Sequence, residues 1–178
     1  MSGPPMLRAA GAADVPAMVA IYGHHVRQGT ATFEIEPPGQ EEMTRRLDAG
    51  DRDGLPWLVA EAADRVVGYA YAGPYRPRPA YRHTVEDSIY LAPEAMGQGL
   101  GRALLTALIA ACAARGDRQM VAVIGDSGNA ASIGLHAALG FAHVGTLRDV
   151  GRKFDRWLDV VLMQRALGDG GASAPLQR

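Results

Sequence analysis

The sequence predicts a single α/β domain built on one mixed sheet. With 178 residues and 48% apolar residue types, the chain is long enough for one sizeable core. Short apolar runs typical of strands alternate with amphipathic helical segments, which is the pattern of α/β proteins. Two strands follow each other across a short turn and others are separated by a helix, so both antiparallel and parallel pairs are expected.

The first half of the chain is predicted to hold four strands and two helices. Asp14 is expected to cap a helix whose apolar residues step by three and four positions, namely Val15, Met18, Tyr22 and Val26. A shorter helix is expected after Pro37 and Pro38, and it ends near Gly50. The predicted strands are 7–10, 57–62, 66–72 and 84–91, of which the middle two form a hairpin through residues 63–65.

The second half continues with two helices and three strands. A long helix is predicted over residues 101–115 and is stopped by Gly116, and a second helix over 129–139 is ended by Gly140. Strands are predicted at 120–124, 141–147 and 157–163. Residues 7–167 would form the domain, between a loose leader over residues 1–6 and a disordered tail over 168–178.

Composition excludes several classes of protein. The net charge of -1 and the lack of a Lys/Arg run argue against a nucleic-acid partner. No apolar run is long enough for a membrane span, and the first residues lack the pattern of a signal peptide. The one cysteine, Cys112, lies at helical spacing from Leu104 and Leu108, which indicates a buried thiol. We expect a cytoplasmic protein.

The most informative stretch is 90–105, where a short strand leads into a glycine-rich turn and then into a helix. Glycines let the backbone approach a ligand closely, and the first N–H groups of a helix have no internal partner. Together they favour an anion, most often phosphate. No Gly-Lys-Ser or Gly-Lys-Thr closes the turn, and Arg102 stands where a dinucleotide fingerprint needs glycine. The alternative is a tight connection without a ligand.

The turn resembles the acyl-coenzyme A pyrophosphate loop of the GCN5-related N-acetyltransferases, and segment 129–141 resembles their next conserved helix. This resemblance implies a mostly antiparallel sheet, acetyl-coenzyme A as co-substrate and no metal. Met96 stands where the family has Arg or Gln, so phosphate binding would use backbone N–H groups, helped by Gln98 or Arg102. The implied coenzyme contacts are Leu91, Met96, Gly97, Gln98, Gly99, Leu100, Gly101, Arg102, Asn129 and Ser132.

Three further segments, 32–34, 75–90 and 151–160, are similar to the phosphinothricin and methionine sulfoximine N-acetyltransferases within that family. The resemblance spans about residues 7–167. It implies acetylation of the α-amine of a small amino-acid analogue, and a homodimer. It also implies that Arg78 helps to hold the substrate and that Phe33 and Tyr81 line its pocket. Segment 151–160, which ends at Val160, would line the pocket of the same subunit or of its partner, and the subfamily resemblance favours the partner.

Glu86 is the candidate base that takes a proton from the substrate ammonium. It lies mid-strand between Val85 and Ile89, so its carboxylate would point into a partly enclosed cleft, where its pKa rises toward the working pH. The alternative is that strand alternation places Glu86 on a solvated face. Asp87 points to the opposite face and is interpreted as structural.

The remaining candidates each have a second interpretation. Arg76 and Arg78 can pair with a carboxylate or phosphinate, although loop arginines are commonly only solvated. His136 occupies the position where this family protonates the leaving thiolate, but it can also simply pack its helix. Tyr90 can line the acetyl pocket or fill the core. His24 and His25 are adjacent in a helix and face different directions, so they are not a metal pair.

Two other functions remain open at this point. Related folds acetylate peptide N-termini, polyamines or aminoglycosides, although the Arg76 and Arg78 pair argues against a polycationic acceptor. A non-catalytic acyl-coenzyme A sensor would keep the glycine loop without needing Glu86.

Overall fold

The chain folds around one seven-stranded sheet in the computed structural model, which describes residues 5–175. The strands are β1 (Met6–Ala9), β2 (Trp57–Ala62), β3 (Arg65–Pro74), β4 (Thr84–Leu91), β5 (Gln119–Gly125), β6 (Ala142–Lys153) and β7 (Arg156–Ala166). The helices are α1 (Val15–Gln28), α2 (Gln40–Arg52), α3 (Leu100–Arg115) and α4 (Ala130–Ala138). The predicted α/β class and mixed sheet are confirmed.

The sheet order is β1-β2-β3-β4-β5-β7-β6, and β4 and β5 are the only parallel neighbours in the described sheet. Helices cover both faces. Tyr90 of β4 meets Tyr22 of α1 on one face, with 4.8 Å between the ring centroids. On the other face, Asp87 of the same strand meets His136 of α4. Side chains of odd and even number in β4 therefore face different helices.

The core consists of apolar side chains from the sheet and from helices α1, α2 and α3. Leu104, Leu105, Leu108 and Cys112 are fully buried on α3. The predicted burial of the Cys112 thiol is confirmed, and burial raises its pKa to about 12. Such a thiol is a packing group rather than a nucleophile.

Two local predictions are wrong. Asp14 does not cap α1 with its side chain; its carboxylate accepts from Gly11 N at 2.8 Å and pairs with Arg8 at 2.7 Å. The strands predicted at 141–147 and 157–163 extend to form one long hairpin, turning at Phe154 and Asp155, which have φ of 50° and 57°. Because β6 is an exposed edge strand with few buried residues, its sequence lacks the apolar alternation that reveals a strand.

The structure describes part of the predicted leader, where Met6 begins β1, and part of the predicted tail. Residues 1–4 of the predicted leader and 176–178 of the predicted tail lie outside the described residues. Of the rest of the tail, residues 168–172 form turns, and Arg118 donates to Ala174 O at 2.9 Å. Among the described helices, none is long and apolar enough to cross a membrane.

Candidate active site

The sheet opens between β4 and β5. The two strands pair in register from Thr84 with Gln119 to Asp87 with Ala122, and beyond that point they no longer pair. A cavity of about 590 Å³ occupies the gap. The ends of both strands line it, together with the start of α3 and one side of α4. A parallel pair that separates in this way exposes backbone N–H and C=O groups to a ligand.

The glycine loop forms one end of this cavity. Gly97 and Gly99 have φ of 73° and 81°, in the left-handed region that only glycine adopts readily. Ala103 N makes the first helical hydrogen bond, to Gly99 O at 3.1 Å, so the preceding N–H groups of α3 are free of helical acceptors. The predicted contacts that line the cavity here are Met96, Gly97, Gly99, Gly101 and Arg102.

Two of the predicted loop contacts have other roles for their side chains. Gln98 Nε2 donates to Glu94 O at 2.7 Å, so the amide closes the loop. Leu100 is buried in the core, which leaves only its backbone N–H for an anion. Of the two side-chain donors considered for phosphate, Arg102 is the one on the cavity wall.

Asn129 and Ser132 lie at the start of α4, next to Gly125 at the end of β5. Asn129 Oδ1 accepts from Ser132 N at 3.2 Å, which caps the helix, and Asn129 Nδ2 donates to Gly125 O at 3.1 Å. Both residues line the cavity, as does Leu91 at the end of β4. The segments 90–105 and 129–141 thus meet at one cavity.

Glu86 lies on the face of β4 that also carries Ser88 and Tyr90. Its side chain is half-buried and sits just beyond the described cavity lining, which begins on this face at Ser88. Burial raises the pKa of the Glu86 carboxyl, the Asp87 charge raises it further, and Arg76 opposes the change. A carboxylate with a raised pKa beside a cavity suits proton abstraction.

His136 is buried, and both of its ring nitrogens have partners. Nδ1 lies 2.8 Å from Ser132 O and Nε2 lies 2.9 Å from Asp87 Oδ2. A carbonyl oxygen can only accept, and a carboxylate accepts as well, so this geometry favours a proton on both nitrogens. Burial alone lowers the pKa of His136, but Asp87 and the Ser132 carbonyl outweigh it, and the pKa is raised. The pair ties α4 to β4 at the cavity floor.

This ion pair leads to a stability prediction. Asp87→Asn is expected to lower the free energy of unfolding by about 3 kcal/mol near neutral pH, because the buried imidazolium loses its counter-charge. A histidine whose pKa is raised on folding contributes stability that is present below pH 6.5 and lost as the pH rises through the folded-state pKa. The deficit of the variant should therefore shrink at alkaline pH.

Urea unfolding of wild type and Asp87→Asn at several pH values measures this deficit. Asp48→Asn, at an exposed position of α2, is the control and should leave stability unchanged. A deficit that is constant with pH would contradict the ion pair.

The predicted acceptor residues are only partly brought together. Arg76 lies close enough to Glu86 to lower its pKa, and its guanidinium stacks 5.1 Å from the Tyr75 ring. Arg78 and Tyr81 are exposed, and the Tyr81 ring meets Tyr75 edge-to-face with 5.6 Å between centroids. We call Arg76, Arg78 and Tyr81 the arginine rim; of the three, Arg76 is the residue that acts on Glu86.

The other predicted pocket residues differ in position. Tyr90 lines the cavity and packs against Tyr22 and Tyr69, so it serves both the cavity and the core. Val160 is buried in the sheet, opposite Gly125 and Leu147. Phe33 packs against Gly125 and Gly151 behind the cavity wall.

Two ionisable residues of the cavity lining, Asp87 and His25, were not selected from the sequence. Asp87 was recognised only as structural, although an acid between Val85 and Ile89 on the apolar face of a strand is itself a signal. His25 gives no such signal; its Nε2 donates to Leu91 O at 2.8 Å beside the cavity. Within residues 5–175, no group of three or more His, Cys, Asp or Glu side chains could hold a metal ion.

The structure combines a mixed sheet that opens between two parallel strands, a glycine loop and a helix N-terminus at the opening. This is the arrangement expected of the N-acetyltransferases that the sequence resembles. The model of the Acetyltransferase (GNAT) family matches residues 19–141. The chain belongs to this family and is an acetyltransferase.

Individual relatives confirm the narrower resemblance. The chain is 57% identical over 162 residues to the phosphinothricin N-acetyltransferase of Alcaligenes faecalis, covering 91% of this chain and 82% of the relative. It is 47% identical over 170 residues to the L-methionine sulfoximine/L-methionine sulfone acetyltransferase of Pseudomonas paraeruginosa, covering 95% and 98%. The crystal structure of a phosphinothricin acetyltransferase from Sinorhizobium meliloti in complex with AcCoA matches with a TM-score of 0.95 at 47% identity, covering 97% of this chain and 94% of that one.

Proposed function

We propose that the protein transfers the acetyl group of acetyl-coenzyme A to the α-amine of a small amino-acid analogue of the phosphinothricin or methionine sulfoximine type. The observation that carries this proposal is the cavity between β4 and β5, which joins the phosphate-binding loop to the Glu86 side of the sheet. The named activities of the relatives agree with it.

The cavity fits the coenzyme in its chemistry. Its glycine end offers free N–H groups and the positive end of the α3 dipole for the pyrophosphate. Arg102 adds a charged donor on the same wall, and Asn129 and Ser132 offer polar groups at the start of α4 for the amide-bearing arm. Bound there, the coenzyme supplies an activated acetyl thioester.

Glu86 would accept the proton that the substrate ammonium must lose before its nitrogen can attack the thioester carbon. In the transfer, a C–N bond forms, the C–S bond breaks and the electron pair leaves with the sulfur. The second proton that the nitrogen loses passes to the thiolate, directly or through solvent, and coenzyme A departs as the free thiol. The raised pKa of Glu86 supports this role, because a base is most useful when its pKa approaches the working pH. For His136, the two ring hydrogen bonds support a positioning role rather than proton donation.

The rim of Arg76, Arg78 and Tyr81 would hold the acid group of the acceptor. A guanidinium pairs bidentately with a carboxylate or phosphinate. Arg76 is close to Glu86, so an α-amino acid held there would bring its amine toward the base. The same positive rim disfavours polyamines and aminoglycosides.

Product analysis tests the proposed reaction. The protein is incubated with acetyl-coenzyme A and L-phosphinothricin, and both free thiol and N-acetylated product are quantified. We expect one thiol per molecule of acetylated product. Coenzyme binding without thiol release would favour a sensor instead, and thiol release without acetylated product would indicate thioester hydrolysis.

We also propose that the protein acts in the cytoplasm as a homodimer joined through the β6–β7 hairpin. β6 is an edge strand of the sheet. The β6–β7 hairpin, including its turn, carries a group of exposed apolar side chains: Val144, Leu147, Val150, Phe154 and Trp157. Such an edge invites pairing with a second chain. A second copy would cover this group and bring its own hairpin beside the site.

Light scattering after size-exclusion chromatography tests the dimer. Trp157 is 61% exposed, and Trp157→Glu is expected to convert the dimer to a monomer by burying a charge in the contact. Met6→Glu, on the strand at the other edge of the sheet, is the matched control and should remain dimeric. A monomeric wild type would overturn this proposal without affecting the catalytic one.

A further inference from the structure

Lys153 is the single lysine among the 18 lysine and arginine residues of the chain. It ends β6, and it is buried, with 5% of its surface exposed. Its Nζ donates to Gly29 O and to Thr32 O, both at 2.9 Å. A buried ammonium needs hydrogen-bond acceptors, and here two backbone carbonyls of a segment distant in sequence supply them. The two hydrogen bonds fix that segment in place.

The segment it holds, residues 29–34, links α1 to the chain that leads to α2, and we name it the acceptor loop. Ala31 of this loop lines the cavity. Two more hydrogen bonds hold the loop, from Thr30 Oγ1 to Asp126 Oδ2 at 2.5 Å and between the hydroxyls of Tyr22 and Thr32 at 2.7 Å. Hydrogen bonds therefore hold the loop in a fixed position, where it forms part of the cavity wall.

Phe33 fills a slot that two glycines provide. A methyl group at Gly125 or at Gly151 would overlap the Phe33 ring, so the ring packs directly on the backbone of β5 and β6. Gly125 itself lines the cavity. The slot thus links the β6–β7 hairpin, through Phe33, to the wall of the site.

The loop also carries one charged side chain, Glu34. Glu34 pairs with Arg46 at 2.8 Å. Burial lowers the pKa of Lys153, and Glu34 opposes that shift, which places this carboxylate near the ammonium as well.

We propose that Lys153 is a positioning residue for the acceptor: it holds the acceptor loop so that Ala31 and Phe33 keep the shape of the acceptor side of the cavity. This inference rests on the proposed function. Lysine suits the position because a compact ammonium can reach two carbonyls at once, whereas the planar guanidinium of arginine is larger and fork-shaped. Arginine serves at every other basic position of the sequence.

The experiment compares wild type with Lys153→Met and Lys153→Arg. Steady-state kinetics give KM for L-phosphinothricin and for acetyl-coenzyme A separately, and amide hydrogen exchange reports on residues 29–34. Arg52→Met is the control, because Arg52 is an exposed arginine at the end of α2, away from the β6–β7 hairpin.

For Lys153→Met we expect KM for the acceptor to rise about tenfold or more, since a charged hydrogen bond to a buried carbonyl acts on that scale. KM for acetyl-coenzyme A should rise less than KM for the acceptor, because the glycine loop is untouched and only the Asn129 end of the coenzyme site lies near the acceptor loop. Exchange in 29–34 should accelerate. Lys153→Arg should also raise the acceptor KM, and Arg52→Met should behave as wild type.

Unchanged exchange in the loop, equal shifts of both KM values, or a Lys153→Arg variant with wild-type kinetics would each overturn the inference. If wild type acetylates no amine, the proposed function fails. The exchange comparison then still decides separately whether Lys153 holds the loop.

Discussion

Glu86→Gln is expected to lower kcat/KM for the amine acceptor by about 100-fold or more at neutral pH, since a positioned general base contributes at least that much. The amide keeps the size of the side chain and removes its ability to take a proton. Thiol release with L-phosphinothricin measures the effect. Glu41→Gln, an exposed acid in the first turn of α2, is the control and should leave the rate unchanged.

The pH profile separates loss of the base from loss of structure. In wild type, kcat/KM should rise with pH through the raised pKa of Glu86, because only the ionised carboxylate accepts a proton. The variant should lack this limb and recover at alkaline pH, where the amine loses its proton to water. A carboxyl whose pKa is raised on folding is destabilising when ionised, so the variant should be no less stable than wild type at neutral pH. Activity within about threefold of wild type would exclude Glu86 as the base.

Gly99→Val is expected to raise KM for acetyl-coenzyme A by about tenfold or more. At φ of 81° a β-branched residue is strained by about 1–2 kcal/mol, and relieving that strain would move the N–H groups that face the phosphate. No protein atom lies within 4 Å of a Cβ built at this position, so the added side chain would occupy the open space above the loop. The loss should therefore fall on binding.

Calorimetric titration with acetyl-coenzyme A measures this loss directly. Gly134→Ala provides the control, because Gly134 is also open to solvent but has ordinary helical geometry within α4. It should bind as wild type does and gain slightly in stability. If wild type and Gly99→Val bind acetyl-coenzyme A with equal affinity, the coenzyme does not bind at the glycine loop.

The parts of the site that could be predicted from the sequence are those with local signals. A strand, a glycine turn and a helix are adjacent in the chain, so the loop at 96–101 needed no long-range information. The cap at Asn129 is local as well. Alternation in β4 correctly separated Glu86 from Asp87, because a strand exposes successive side chains on opposite faces.

The missed features depend on contacts between distant residues. Asp87 and His136 are 49 positions apart, and their ion pair exists only because α4 packs below β4. Lys153 reaches residues more than 100 positions away, from an edge strand whose extent the sequence pattern does not reveal. The Gln98 side chain points back toward Glu94. This direction depends on the rotamer of the side chain, which the spacing of residues in the sequence does not predict.

The acceptor class is tested most directly by comparing kcat/KM for four amines: L-phosphinothricin, L-methionine sulfoximine, spermidine and a short peptide. Thiol release with acetyl-coenzyme A is measured for each at saturating coenzyme. If the arginine rim selects the acceptor, the two amino-acid analogues should react and spermidine and the peptide should not. Preferential acetylation of spermidine or the peptide would contradict the proposed substrate class, although the family and the coenzyme site would stand.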